Sequence, residues 1–190
     1  MKATEVLQEE HQGVLLALRV LEKIGAELVQ PPIGASRDPA GDLARLLDFL
    51  RVFVDKCHHG KEEDVLFPAL LEAGLPREGG PVQVMLAEHA AGRKLVAAMD
   101  RALTDFQTGN AAAAATLREA AAEYVKLLTN HISKEDHVLY PIADEKIAAP
   151  VQAAMVEAFE KIEEERIGVG MHERYHEMLK EFRRGYLSTK

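Results

Sequence analysis

Disulfides, membrane spans and β-structure are all poorly provided for in this chain. It has one cysteine, Cys57, no tryptophan, and aromatic residues at only 5% of its 190 positions. A lone thiol closes no intramolecular bridge, which excludes a disulfide-stapled scaffold and favours a reducing, cytoplasmic setting. No apolar run reaches the roughly 18 residues that a bilayer span needs. The opening segment, MKATEVLQEE, carries four charges, unlike a secretory leader or an anchor. β-Branched and aromatic runs are scarce, so strands are not expected. Basic residues are the minority, 23 against 31 acidic, for a net charge of -8. That balance argues against nucleic acid or an anionic membrane as a partner. What the chain does have is length for one core, since a domain of this size buries roughly 70% of its unfolded surface. It also has eight histidines.

Ala, Leu, Glu, Lys and Arg dominate between a few Pro/Gly clusters, and the expected class is all-α. Breaks at 30–41, 74–81, 108–110 and around Pro150 leave five helical stretches. The first carries Leu7, Val14, Leu18, Leu21 and Leu28 at three- and four-residue steps, with His11 in the slot between Leu7 and Val14. The third has a similar seam from Val82 to Phe106, in which His89 takes one position. The second aligns Val54, His58, Glu62 and Val65, and the fourth aligns Leu128, His131, Glu135 and Val138. Pro68 and Pro141 lack a backbone donor and are expected to kink or end these two helices.

Residues 58–68, HHGKEEDVLFP, return as 131–141, HISKEDHVLYP, identical at six of eleven positions. Glu10-His11 is echoed by Glu88-His89. The chain therefore reads as two hairpins of one design, which predicts a bundle with a pseudo-two-fold axis. At 1.5 Å per residue, His11 lies about 27 Å before the end of its helix and His58 about 26 Å after the start of the next. His89 and His131 lie about 27 and 30 Å from their own turn. Four histidines thus fall in one layer of the core. The i,i+4 pairs His58/Glu62 and His131/Glu135 stack both side chains on one face.

A single histidine on an apolar helix face is ordinarily a satisfied core residue. Two glutamates in the same layer change that, because buried unpaired carboxylates cost several kcal/mol. Lys61 and Lys134 sit one residue off the stripe and are expected to point elsewhere. Two divalent cations resolve the conflict, with shared carboxylates and neutral imidazoles completing each shell. The mixed nitrogen and oxygen donor set suits iron best, with manganese or zinc as minority options.

His11, the segment His58-His59-Gly60-Lys61-Glu62-Glu63 leading to Pro68, His89, and His131 to Glu135 leading to Pro141 resemble the hemerythrin-like, HHE cation-binding family over about residues 5–145. The resemblance implies an up-down-up-down four-helix bundle over 1–147, with 148–190 a helical extension packed on it. It also implies a non-haem di-iron centre, two iron ions bridged by carboxylates and an oxo or hydroxo group, that binds O2 or related small ligands such as NO or peroxide. The ligand set carried over is His11, His58, Glu62, His89, His131 and Glu135. Oxygen carriers of the family have a further histidine one turn after that of the third helix, where this chain has Arg93. One imidazole fewer leaves an open iron position, closer to the branch linked to nitric oxide and iron-sulfur cluster repair. Carriers also tend to place the fourth-helix carboxylate five residues after its histidine, at Asp136 here; the internal repeat favours Glu135.

Other residues read more plainly. His59 with Glu63 is rotated about 100° off the seam and is expected to be solvated. His137 is expected at the surface, Cys57 as a small apolar group at a helix interface, and Tyr124 near enough to the site to hydrogen-bond a ligand. In the fifth stretch Val151, Met155, Ala158, Phe159 and Ile162 form an apolar face for docking on the bundle, for a homodimer contact or for a protein partner. His172 and His176, after the break at 168–170, are expected on a solvated face, with His172 also able to supply the imidazole absent at Arg93. Three functions follow: a protein that binds O2 or NO for sensing, storage or stress response; an enzyme that turns over peroxide or NO or repairs iron-sulfur clusters; and iron sequestration. The last fits badly, since ferritin-like sites read ExxH where this chain reads HxxxE twice. Whether the centre turns over a substrate is left open by the sequence.

Overall fold

The computed structural model describes residues 1–32 and 37–188, so 33–36 of the expected first break lie outside the described residues. The described residues form helices and no strand. The helices are α1 (Ala3–Val29), α2 (39–72), α3 (Pro81–Gln107), α4 (113–146), α5 (Ala149–Arg166) and α6 (171–187). Local signals set their starts. Glu5 accepts the Lys2 backbone N–H at 2.7 Å at the head of α1, and Asp38 caps α2 through the Gly41 N–H at 3.0 Å, with Pro39 in the first turn. The fifth stretch is split into α5 and α6 at Gly168 and Gly170, whose φ of 85° and 80° favour glycine.

The two prolines do not end α2 and α4. A π-helical turn precedes each, Glu62–Leu66 and Glu135–Leu139, in which the Phe67 N–H reaches back to the Glu62 carbonyl and the Tyr140 N–H to that of Glu135. The wider turn resets the hydrogen-bond register, so Pro68 and Pro141 enter a new first turn, where no donor is owed. The same turns carry Glu62 and Glu135.

α1 packs against α2 and α4, and α3 against the same two, giving the up-down-up-down order. Two apolar clusters stand at different levels of this bundle. The larger includes Val14, Leu18, Leu47, Val54, Leu117 and Leu128, and the smaller includes Leu7, Leu66, Phe67, Leu70, Leu139 and Tyr140. Each fully buried leucine contributes roughly 1.5–3 kcal/mol, so the clusters can support a polar layer lying between them. α5 and α6 cover one side of α1 and α2. Met155 and Phe159 of α5 join the smaller cluster, and Tyr175, Leu179 and Phe182 of α6 join the larger. Val151 departs from the expected apolar face at 47% exposure. It lies in the first turn of α5, and Gln152 is the residue that meets the bundle there, accepting the Ala3 N–H at 3.2 Å. No described helix is long and apolar enough to cross a membrane.

Candidate metal centre

α1 to α4 each deliver one histidine to the polar layer. His11 and His58 bring their Nε2 atoms to 3.1 Å, and His89 and His131 bring theirs to 3.1 Å. The level match expected from the helix rise is therefore met in both hairpins. Glu62 Oε2 lies 3.4 Å from His89 Nε2 and 3.9 Å from His58 Nε2. Glu135 Oε2 lies 3.3 Å from His11 Nε2, and its Oε1 lies 3.1 Å from His131 Nε2. Each glutamate thus stands between the two histidine pairs. All six side chains are buried.

The outward ring nitrogens follow one rule. His11 Nδ1 meets Asp136 at 2.8 Å, His58 Nδ1 meets Glu10 at 2.8 Å, His89 Nδ1 meets Glu63 at 2.7 Å, and His131 Nδ1 meets Glu88 at 2.9 Å. A carboxylate behind each imidazole holds the proton on Nδ1 and leaves Nε2 with a lone pair facing inward, as metal-binding histidines require. Lys61 and Lys134 do not point away from this layer. Each donates to the carboxylate behind a histidine, Lys61 to Glu10 and Lys134 to Glu88. Lys61 also donates to Glu163 of α5 at 3.1 Å and is buried, whereas Lys134 keeps 39% of its side chain exposed. Arg166 of α5 crosses directly over Gly60, donating to the Lys56 carbonyl at 3.0 Å, where a Cβ on residue 60 would lie 2.0 Å from its guanidinium.

Burial works against charge in this layer, yet the carboxylates outweigh it. Desolvation lowers the pKa of His11, but Asp136 and Glu135 lift it to about 9; His89 rises likewise to about 9 through Glu62 and Glu63. Burial raises Glu135, but the His11 and His131 imidazoles draw it well below the usual carboxylate range. Protein partners still leave atoms over: Glu62 Oε2 and both oxygens of Glu135 are buried without a hydrogen bond. These bare oxygens and the inward Nε2 atoms form two facing sets, His11/His58/Glu135 and His59/Glu62/His89/His131, with donor atoms in each within 4.8 Å of one another. A divalent cation in each set would give every bare donor a partner, so the residues fit a pair of ions.

Two residues here depart from the sequence reading. His59 is 4% exposed, not solvated, with its ring stacked on that of His89 at 3.8 Å and 14°. The π-helical path of Leu50–His59 alters the angular step, so an ideal 100° rotation misplaces it. Burial and the neighbouring His89 push its pKa well below the ordinary value and keep it neutral. Tyr140, not Tyr124, brings a hydroxyl to the layer, donating to Glu62 Oε1 at 2.7 Å and lying 3.4 Å from His11 Nε2. Its signal was the Phe67/Tyr140 difference, one of five between the two copies of the repeat. Tyr124 is buried beside Gly92 and His59, lining a cavity of about 350 Å³ that also touches Arg93.

Other positions sort out simply. Asp136 backs His11 while Glu135 occupies the layer, and Glu63 is held by His89 and Arg93, each at 2.7 Å. His137 is exposed and bonds the Ser133 carbonyl at 2.8 Å. Cys57 is fully buried, and burial pushes its thiol up to about 12. His172 is not in either donor set: it lies 5.7 Å from the Phe53 ring and 4.7 Å from His176.

The family model described as hemerythrin HHE cation binding domain matches residues 2–143. An iron-sulfur cluster repair protein YtfE from Edwardsiella ictaluri is 33% identical over 141 residues, covering 73% of this chain and 62% of its own length. The YtfE of Musicola paradisiaca is 40% identical over 140 residues, 71% of this chain and 60% of its own. An uncharacterized protein of Mycobacterium tuberculosis is 29% identical over 166 residues, 87% of this chain and 63% of its own. The chain thus spans about three fifths of the length of the curated relatives it matches.

Proposed function

The chain belongs to the hemerythrin HHE cation-binding family, and on that premise we propose that it is a non-haem di-iron protein binding O2 or a related small ligand, NO or peroxide, for sensing, storage or stress response. One observation carries the reading: two facing donor sets in which His11, His58, His89 and His131 are each backed by a carboxylate and three carboxylate oxygens are bare. His11, His58, Glu62, His89, His131 and Glu135 would hold the ions. Iron bound there supplies a redox-active Lewis acid for a small ligand. The chain does the rest. Asp136, Glu10, Glu63 and Glu88 fix the four rings, the apolar clusters above and below exclude water, and Tyr140 holds its hydroxyl proton in the layer, donated to Glu62 Oε1.

Metal analysis after anaerobic iron reconstitution tests the reading, with two irons per chain expected. Fewer than two per chain would overturn it. The loaded, reduced protein is then mixed anaerobically with O2, NO and peroxide, and a charge-transfer band that forms and reverses on ligand removal supports binding.

A second reading is an enzyme of oxidative or nitrosative defence, including iron-sulfur cluster repair. The similarity to proteins named for that repair, and the Tyr140 hydroxyl as a proton donor in the layer, favour it. Steady consumption of peroxide or NO, or passage of iron to a damaged cluster, separates it from the first.

A further inference from the structure

Resting on the two-metal reading above, we propose that His59 is itself a metal ligand, the third imidazole of the position built from His89 and His131. Three observations converge on it. His59 is more than nine-tenths buried, and its Nδ1 has no hydrogen-bond partner, an arrangement that costs free energy unless the ring has another use. Its donor atom falls in one tight set with those of Glu62, His89 and His131, all within 4.8 Å of one another. Its ring packs against that of His89 at 3.8 Å, so α2 and α3 bring the two imidazoles to the same part of the layer.

The surroundings differ from those of the other four histidines, in that no carboxylate hydrogen-bonds the Nδ1 of His59. Asp55, one turn before His59 on α2, stands 3.5 Å from its Nδ1. Arg93 then ties this carboxylate to that of Glu63 behind His89, donating at 2.7 Å to each. Arg93 thereby clamps the carboxylates that stand beside the stacked pair. The other hairpin has nothing equivalent, because the residue matching His59 in the repeat is Ile132. The two metal positions are therefore unequal, three imidazoles against two.

Proton NMR of the full chain loaded with Co(II) tests this without any assay of activity. An imidazole bound through either ring nitrogen keeps an exchangeable N–H on the other, which the bound paramagnetic ion shifts far outside the normal range. Five such signals, lost in D2O, are expected from the wild type, and four would overturn the proposal. His59→Gln should retain four and, in the iron-loaded form, release one of its two irons to a chelator at least about tenfold faster. Unchanged signals and release kinetics in a folded H59Q protein would likewise overturn it. Should that variant fail to fold, the wild-type count still decides. Wild-type protein with two metals and four signals rejects His59 alone, while fewer than two metals per chain rejects the two-metal reading and this assignment with it.

Discussion

The hairpin of α1 and α2 and the hairpin of α3 and α4 are near copies at the centre of the bundle, and they differ where it matters. Glu10 and Lys61 behind His58 match Glu88 and Lys134 behind His131. Asp136 behind His11 matches Glu63 behind His89. Even the aromatic neighbours correspond: His11 stacks on Tyr140 at 5.6 Å and His89 on Phe67 at 5.8 Å. Two substitutions and one difference of surroundings break the pattern. Tyr140 has a hydroxyl and Phe67 does not, so Glu62 has one oxygen satisfied while Glu135 has none. His59 stands where the second copy has Ile132, and Lys61 is buried under α5 while Lys134 faces solvent. A duplicated frame thus fixes where donors sit, and its departures from symmetry make the two positions chemically different.

The largest effect expected is on metal retention. Glu135→Ala should lower iron affinity by more than about a hundredfold, beyond the 10–100-fold typical of losing a supporting outer group. Glu62→Ala should do less, since one of its oxygens already serves Tyr140. Equilibrium competition with a graded chelator measures both, and equal losses would mean that the hydroxyl does not distinguish the halves. Next in size is the pair Glu10→Gln and Glu88→Gln. Glu10 neutralises a buried lysine, and removing one partner of such a pair costs about 3 kcal/mol at the low end of the known range, Glu163 remaining as a second acceptor. Glu88 pairs with a part-exposed lysine, worth under about 1 kcal/mol. Thermal unfolding of the metal-free proteins should separate them by several degrees.

pH probes the symmetric part of the site. Free histidine titrates near about 6.5, whereas His11 and His89, one from each hairpin, are held at about 9 in the metal-free fold. A raised folded-state pKa gives stability that is complete below about 6.5 and is lost as pH climbs through about 9. Glu135 acts in the opposite sense, contributing above its ordinary range and fading as acid protonates it. Metal-free protein should therefore lose melting temperature between pH 6.5 and 9. Iron-loaded protein should not, because its imidazoles are already deprotonated by the metal. His11→Gln and His89→Gln should each remove a similar share of the slope.

Fold class, the level of the four histidines and the two inward glutamates were all legible in the sequence, because seams of period 3.6 and an internal repeat are long signals. The outer carboxylates were visible only as residue types: Glu10 and Glu88 sit next to the seam, and nothing in one dimension says that they cross to the neighbouring helix. His59 is illegible to ideal helical geometry because the backbone there widens to a π path. Pro68 and Pro141 do not end their helices for the same reason, since a π turn accommodates the donor that proline lacks. Tyr140 is visible in the sequence only as a difference between the two copies of the repeat, and that difference carries the chemistry.

The smallest effect expected isolates that difference. Tyr140→Phe removes a hydrogen bond to a buried carboxylate, a loss of about 2 kcal/mol and a fall of about 4–8 °C in the melting temperature of the metal-free protein. Phe67→Tyr should do the reverse. The pseudo-symmetry aims a hydroxyl on that ring at Glu135, whose two oxygens have no partner, so metal-free stability should rise and iron affinity should fall as one donor oxygen is engaged. Combining the two changes moves the single hydroxyl from one hairpin to the other without altering composition at the site. If the hairpins were equivalent, the doubly changed protein would match the wild type in its response to NO. The unequal positions argued above require otherwise: stability should return to within about 0.5 kcal/mol, while the lifetime of the NO complex, followed by stopped-flow absorption, should change because the proton donor no longer faces the His11 and His58 side.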